Sequence, residues 1–221
     1  MLAISLDGRL ALPAGGPAQL GGDGDRAVLE AALAWADGCL IGAGTLRSHR
    51  CTCLIRDPAL LEARVSDGRP PQPTALVVSA SSRPEFPLEW QFFQQPLDRW
   101  LLHANQASEF AITSPGFSHQ LGMGPTWQHT LALLAARGMQ RLVLLGGAAL
   151  AASCLQDDVV DELQLTLTPR VVGGRHGWVP FEVDALPSSL AMSDAWRLHK
   201  AERLQGDELL VRYQRRHSTH R

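Results

Sequence analysis

The sequence predicts an α/β fold with a mostly parallel central sheet flanked by helices and a C-terminal antiparallel strand pair. Three short apolar runs predict buried strands, and two of them end at glycines that lead directly into a segment that can form a helix. Near the C-terminus, Trp196 to Leu204 and Glu208 to Tyr213 predict the antiparallel pair, with a turn at Gln205-Gly206-Asp207 between them.

The first strand-glycine-helix junction lies in the second half of the chain. Leu142 to Leu145 is too short for a helix and stops at Gly146-Gly147, after which Ala148 to Leu155 has a helical composition. The backbone N–H groups at the start of such a helix lack partners, and the helix dipole favours an anion there, so phosphate is the expected ligand. The alternative is that the two glycines only let helix and strand approach closely.

A second junction lies near the N-terminus. Asp23 or Asp25 can cap a helix whose apolar face consists of Val28, Leu29, Ala32, Leu33 and Ala36. Cys39 to Ile41 then predicts a buried strand that runs straight into Gly42-Ala43-Gly44-Thr45. This G-x-G-T is weak as a motif, because it lacks the third glycine and the downstream acid of a dinucleotide-binding fingerprint.

The third apolar run, Thr74 to Ser79, is followed by Ala80, two further serines and Arg83. Hydroxyls and one guanidinium after a strand suit the 2′-phosphate of NADPH. A plain serine-rich turn is the alternative. Further strands are predicted at Arg99 to Ala104 and at Ala111 to Thr113, and Thr126 to Arg137 predicts a helix that ends at Gly138.

The order of these motifs resembles one enzyme family. Ser5 to Ala11 reads S-L-D-G-R-L-A, and the stretch from Gly146 to Gly174 combines G-G, a helix, V-D-E-L-Q-L, a proline and a second G-G. This arrangement resembles the reductase domain of bifunctional riboflavin-biosynthesis proteins, which pair a deaminase with a reductase. The resemblance covers residues 5–11, 25–45, 138–147 and 155–174, and it implies a dihydrofolate-reductase-like fold.

The resemblance implies an NADPH-dependent oxidoreductase. Its substrate would be a ribosylated pyrimidine, such as 5-amino-6-(5-phosphoribosylamino)uracil, or a related small heterocycle. The implied cofactor-binding residues are Thr45, Ser79, Gly146 and Gly147, with Arg83 for the 2′-phosphate. On the substrate side, Asp7 would orient the ring and Arg56 would hold the anionic end. As an isolated dipeptide, Asp7-Gly8 predicts only a turn.

Several positions on the substrate side depart from the family pattern. Leu145 stands where the family has a glutamate, His49 where it has an acid, Cys51 where it has a proline, and Leu33 where it has an arginine. If Leu145 and His49 line the pocket, one wall is apolar and His49 can donate a proton, with activity falling above about pH 7. A solvent-exposed His49 is the alternative. Two other functions stay open: nucleotide binding without catalysis, and reduction of a different, pterin-like substrate.

Composition narrows the class of protein. The chain of 221 residues is 45% hydrophobic and 19% charged, which predicts one domain over 1–216 and a basic tail over 217–221. A net charge of −2 without a long basic run argues against nucleic acid or membrane as a partner. The four cysteines, the absence of a signal-peptide pattern and the lack of a run near roughly 20 apolar residues predict a cytoplasmic protein. Cys51 and Cys53 lack a second pair at zinc-site spacing, so no metal is predicted.

The strands predict a homodimer. Leu163, Leu165 and Leu167 alternate with polar residues, and the late strand pair carries Trp196 and Tyr213. Together they offer more apolar strand surface than one layer of helices covers, and such surfaces favour pairing between copies. The family resemblance implies the same.

Overall fold

The computed structural model describes residues 1–16, 19–81, 84–104, 114–180 and 186–216. The elements in chain order are β1 (Leu2–Ser5), α1 (Asp23–Trp35), β2 (Gly38–Gly42), α2 (Ala43–His49), α3 (Pro58–Ser66), β3 (Thr74–Ser79), α4 (Gln91–Gln94), β4 (Arg99–His103), β5 (His119–Gly122), α5 (Trp127–Ala135), β6 (Leu142–Leu144), α6 (Ala148–Gln156), β7 (Glu162–Thr168), β8 (Trp196–Arg203) and β9 (Leu209–Arg215). None of the helices in these ranges has the length and the apolar run that a membrane span requires. The strand predicted at Ala111 to Thr113 and the tail at 217–221 lie outside the described residues.

The chain forms two compact units. The terminal unit consists of Met1–Ala27 and Ala148–Arg221, and the central unit consists of Val28–Gly147. The predicted α/β architecture is confirmed, because a parallel sheet with helices makes up the central unit and the antiparallel pair of β8 and β9 lies in the terminal unit.

Five parallel strands form the sheet of the central unit, in the order β5-β4-β3-β2-β6. The strands in the middle of this sheet are apolar on both faces, as expected for parallel strands covered on both sides. The fully buried side chains of the unit include Leu33, Leu46, Leu76, Phe92, Leu101, Leu102 and Leu134. The predicted helix α5 is capped by Thr126, whose side chain accepts a hydrogen bond from the His129 N–H.

The elements of the central unit that the sequence pattern does not predict include α3 and β5. The segment Pro58–Ser66 forms α3, although its charged residues predict a loop. Its start is nevertheless typical of a helix, with Asp57 as N-cap and a proline directly after it. Among the described residues, the edge strand β5 pairs only with β4. It buries only Leu121, so its sequence carries no period-2 apolar signal.

The sheet of the terminal unit has the order β1-β7-β9-β8, in which β1 and β7 are parallel and the other two pairs are antiparallel. The predicted turn between β8 and β9 is present at Gln205–Asp207, where Gly206 has a φ of 76°. The predicted strand at Leu163 to Leu167 is β7.

The N-terminus of α1 is held by Glu208, which precedes β9. One carboxylate oxygen of Glu208 accepts the Gly22 N–H at 2.6 Å, and the other accepts the Asp25 N–H at 2.9 Å. The sequence predicts Asp23 or Asp25 as the cap, but both lie inside the first turn of the helix. A carboxylate from a distant part of the chain therefore satisfies these donors, and local pattern alone does not reveal it.

Candidate functional site

The carboxyl edge of the parallel sheet contains a topological switch point. The chain moves from β2 outward to β3, β4 and β5, and then returns to place β6 on the opposite side of β2. In open α/β sheets, ligands bind in the crevice outside the carboxyl ends of the two strands at such a point. Here β2 leads directly into α2, which carries Thr45, and the loop after β6 is Leu145-Gly146-Gly147.

The glycine pair after β6 has the backbone that the sequence predicts. β6 ends at Leu144, Gly146 and Gly147 have φ values of 131° and 99°, and α6 begins at Ala148. These positive φ values are strained for a residue with a side chain. Without a Cβ, the backbone N–H groups can also approach a phosphate closely, so the pair fits the pyrophosphate of a dinucleotide.

Thr45 lies in the short helix α2, which follows β2 without a break. The buried side chains of Ala43 and Leu46 fix this helix, and Thr45 itself is half-buried. Thr45 and the glycine pair therefore follow neighbouring strands, β2 and β6, on the two sides of the switch point.

Ser79 is the last residue of β3, next to β2 in the sheet, and only 3% of its surface is exposed. Its hydroxyl oxygen accepts the Ser81 N–H at 3.1 Å. This hydrogen bond is typical of a serine turn, which was the alternative interpretation. Ser82 and Arg83, expected at the 2′-phosphate, lie outside the described residues.

The loop that carries Arg56 runs between α2 and α3 and is held by buried side chains. Gln95 pairs its amide with the N–H and C=O groups of Thr52, at 2.9 and 2.7 Å, and Gln72 does the same with Ile55, at 2.9 and 2.8 Å. Arg56 itself is exposed. The buried glutamines therefore fix the backbone before Arg56, while its exposed guanidinium can bind an anionic ligand.

His49 is the last residue of α2 and is half-buried. Burial lowers the pKa of His49 below its ordinary value of 6.5. If His49 donates a proton, the decrease in activity therefore starts at a lower pH than the value of about 7 expected from the sequence. The following residue, Arg50, ends the helix in the left-handed conformation with a φ of 57°.

Leu145 lies directly before the glycine pair. Its N–H donates to the Leu40 carbonyl at 2.9 Å and so extends the pairing of β6 with β2. The side chain is half-buried. Leu33, by contrast, is fully buried, so the residue that replaces the family arginine belongs to the core.

Asp7 lies in the terminal unit, just after β1, and both of its carboxylate oxygens have partners within the chain. One oxygen accepts the Ser5 hydroxyl at 2.6 Å and the Val172 N–H at 3.0 Å, and the other accepts the Gly173 N–H at 2.7 Å. The hydrogen bond from Ser5, followed by that from Val172, lowers the pKa of Asp7 well below its ordinary value. The Nε atom of Arg9 lies 3.5 Å from the Oδ2 atom of Asp7. Asp7 thus ties the turn after β1 to the loop after β7.

The sequence pattern missed the polar side chains that hold the Arg56 loop: Glu30, Gln72 and Gln95. A signal exists for Glu30, which lies three residues before Leu33 on the apolar face of α1 and is only 7% exposed. The two glutamines show no such signal, because their partners are backbone groups of an irregular segment. Within the described ranges, no group of three His, Cys, Asp or Glu residues has a geometry that could hold a metal ion.

A parallel sheet with a switch point at its carboxyl edge is the architecture of α/β proteins that bind nucleotides, and comparison with known proteins gives the family. The model of the RibD C-terminal domain matches residues 1–210. The chain belongs to this family, and the family predicted from the sequence is therefore confirmed.

Two curated relatives carry the same name, 2,5-diamino-6-ribosylamino-4(3H)-pyrimidinone 5′-phosphate reductase. The protein from Archaeoglobus fulgidus is 25% identical over 79% of this chain and 80% of its own length. The protein from Methanothermobacter thermautotrophicus is 26% identical over 96% of this chain and 94% of its own length. The predicted class, a reductase of this family, is confirmed.

Solved structures show the same fold. A pyrimidine reductase-like protein from Corynebacterium diphtheriae superposes with a TM-score of 0.73 at 18% identity, covering 98% of this chain and 90% of that one. RibD from Acinetobacter baumannii gives 0.74 at 20% identity over 97% of this chain and 56% of that one. The chain thus spans about half the length of that RibD, and the predicted dihydrofolate-reductase-like fold is confirmed.

Proposed function

We propose that the chain is an NADPH-dependent reductase acting on a phosphoribosylated aminopyrimidine of the kind for which its archaeal relatives are named. The observation that carries the proposal is the glycine pair with positive φ at the switch point of the parallel sheet. We place the activity in a single domain over 1–216. No disulfide joins Cys39, Cys51, Cys53 and Cys154, which are all among the described residues, and this supports a cytoplasmic location.

The residues of the central unit divide into a cofactor side and a substrate side. On the cofactor side, the N–H groups of Gly146 and Gly147 bind phosphate oxygens, and the hydroxyl groups of Thr45 and Ser79 contribute hydrogen bonds. When bound, NADPH supplies the hydride. On the substrate side, the Arg56 guanidinium pairs with the 5′-phosphate through two parallel hydrogen bonds.

Catalysis in this proposal depends on positioning. Leu145 and His49 lie on the substrate side, where His49 provides the proton that accompanies hydride transfer. Asp7 keeps the turn after β1 in one conformation through its bonds to Ser5, Val172 and Gly173. A second candidate, nucleotide binding without turnover, is favoured by the leucine at position 145, because the family glutamate is missing there.

The first prediction concerns Leu145 and tests the proposed substrate. Each amino group left without an acceptor costs roughly 1 to 3 kcal/mol, so the wild type should turn over a substrate with more than one such group at least about tenfold less well than a less amino-rich analogue. Leu145→Glu should restore the turnover of the amino-rich substrate, and Leu145→Met should not. The measurement is steady-state oxidation of NADPH.

Three results would contradict parts of this proposal. Ordinary turnover by the wild type, unchanged in Leu145→Glu, would show that the leucine is neutral and that the chain is an ordinary reductase of its family. No turnover with any pyrimidine or pterin, together with tight NADPH binding, would support the binding-only alternative. Turnover of a pterin in preference to pyrimidines would assign a different substrate.

The second prediction concerns the choice of cofactor, and it rests on the sequence after β3. NADPH should bind more tightly than NADH, and Arg83→Ala should weaken NADPH by about 1.5 to 3 kcal/mol, the range for a charge-assisted hydrogen bond. NADH binding should stay nearly unchanged. Calorimetry with both cofactors checks this, and an equal loss for both would rule out a role of Arg83 at the 2′-phosphate.

We also propose a homodimer, supported by one face of the sheet in the terminal unit. Leu165 is paired with Val211, and the flanking pairs are Leu163 with Tyr213 and Leu167 with Leu209. These side chains are half-buried or exposed, and Leu209 is 43% exposed. On the opposite face, Thr166, Thr168 and Leu210 are buried. An apolar sheet face of this kind is suited to a second copy of the chain.

The third prediction follows from this face. The wild type should sediment as a dimer at micromolar concentration, and Val211→Lys should sediment as a monomer, because a charge at the centre of the face cannot be buried against its own copy. Ser66→Lys, at an exposed position of α3, is the control and should leave the dimer intact. A monomeric wild type would refute the proposal.

A further inference from the structure

We infer that Glu30 is a positioning residue that sets the direction of Arg56 and thereby the selectivity for a phosphorylated substrate. The inference rests on the proposed function, because it takes Arg56 as the residue that pairs with the substrate phosphate. It concerns a buried residue of the first long helix, α1.

The geometry places the Glu30 carboxylate under the backbone of Arg56. One oxygen, Oε2, accepts the Arg56 N–H at 2.7 Å and the Asp57 N–H at 2.8 Å. Glu30 is only 7% exposed, so solvent does not compete strongly for this oxygen. The two N–H groups lie at the start of α3, where the helix dipole also favours a negative charge.

Three side chains hold this loop: Glu30, Gln72 and Gln95. Of these, Glu30 is the one that binds the backbone of Arg56 itself. Gln95 fixes Thr52 and Gln72 fixes Ile55, each through a neutral amide. Hydrogen bonds to a charged acceptor are about twice as strong as those between neutral groups. The end of the loop that carries Arg56 therefore receives the stronger restraint, although the Arg56 side chain is exposed.

The start of α3 does not require Glu30. Asp57 is the N-cap of this helix, and its own side chain accepts the Ala59 N–H at 2.8 Å. A helix of this length is already capped by that bond. The additional carboxylate of Glu30 thus serves the peptide group of Arg56, whose orientation determines where the guanidinium can reach.

The experiment compares the phosphorylated aminopyrimidine with its dephosphorylated form. In Glu30→Ala and, more weakly, in Glu30→Gln, the KM for the phosphorylated substrate should rise by about tenfold while kcat changes little. The dephosphorylated substrate should show no change. The double variant Glu30→Ala, Arg56→Ala should be no worse than Arg56→Ala alone, since both act on one contact.

Asp57→Ala is the matched control. It removes the cap of α3 but leaves the Glu30 carboxylate in place, so it should lower the melting temperature without changing the preference for the phosphate. Glu30→Gln keeps the shape of the side chain and provides a folded variant if Glu30→Ala unfolds. Amide hydrogen exchange supplies a readout independent of activity, and the Arg56 N–H should lose protection in both Glu30 variants.

Two failures are distinguishable. If Arg56→Ala abolishes the preference for the phosphorylated substrate but Glu30→Ala and Glu30→Gln leave it unchanged, the inference is overturned and the proposed function stands. If Arg56→Ala has no effect on that preference, Arg56 does not bind the substrate phosphate, and both the inference and the proposed role of Arg56 are overturned, whereas NADPH-dependent turnover of either substrate form would leave the proposed activity standing. An equal loss for the two substrate forms in the Glu30 variants would also overturn the inference, because it would show a merely structural role.

Discussion

Replacement of Arg64 by methionine is expected to destabilise the protein by about 3 kcal/mol, the largest effect on stability that we predict for a polar residue. Arg64 lies in α3 and is only 3% exposed. Its guanidinium donates to the carbonyl oxygens of Leu33, Ala34 and Ala36 at 3.3, 2.8 and 2.7 Å, at the C-terminal end of α1. It also donates to the Pro70 carbonyl at 2.8 Å.

The size of this effect follows from the burial of the charge. Burial lowers the pKa of Arg64 to about 10, so the group remains charged at neutral pH. Hydrogen bonds from a charged donor contribute roughly 1.5 to 3 kcal/mol each, and a carbonyl left buried without a donor adds a further cost. Methionine fills a similar volume, so the loss reports on hydrogen bonding and charge rather than on a cavity.

Urea denaturation measures this loss directly, and the melting temperature should fall by roughly 6 to 12 °C. Arg69→Met is the matched control. Arg69 donates to the carbonyls at the same helix end and to Asp37, but its side chain is more exposed, at 17%, and a smaller loss is expected. A loss for Arg64→Met below that of Arg69→Met would contradict the argument.

Replacement of Asp7 by alanine is expected to reduce kcat/KM by about 100-fold, because the family resemblance assigns Asp7 to the orientation of the substrate ring and small displacements of a positioned group have effects of this size. The alanine removes the acceptor for three donors: the Ser5 hydroxyl and the N–H groups of Val172 and Gly173. The turn after β1 and the loop after β7 then lose their connection through this side chain. Ser5→Ala removes a single donor and should have a much smaller effect.

The pH dependence of the Asp7 contacts has a definite sign. The pKa of Asp7 is lowered in the folded protein, so the stabilisation from its hydrogen bonds is fully present above the ordinary carboxyl pKa of about 3.9. It is lost only as the pH falls through the lower pKa of the folded state. The activity of the wild type should therefore show no change between about pH 5 and 9 that arises from the titration of Asp7. The activity of Asp7→Asn should be reduced at every pH in this range. Restored activity of Asp7→Asn at high pH would contradict this role.

The sequence by itself determined the class of this protein. Gly146-Gly147 after a short apolar run, and the second junction before Thr45, are local patterns, because a glycine turn and a buried strand each reveal themselves within a few residues. The same holds for the hairpin around Gly206. The motif order from Ser5 to Gly174 identified the family without knowledge of the strand order.

Only the tertiary structure decided which polar groups hold these elements in place. Glu208 caps α1 from the far end of the chain, Glu30 and Arg64 serve backbone groups of other segments, and both oxygens of Asp7 are occupied by partners within the chain. Each of these contacts joins residues that are far apart in the sequence, so a local sequence pattern cannot predict it. A buried charge needs several donors or acceptors around it, and these become close neighbours only when the chain has folded.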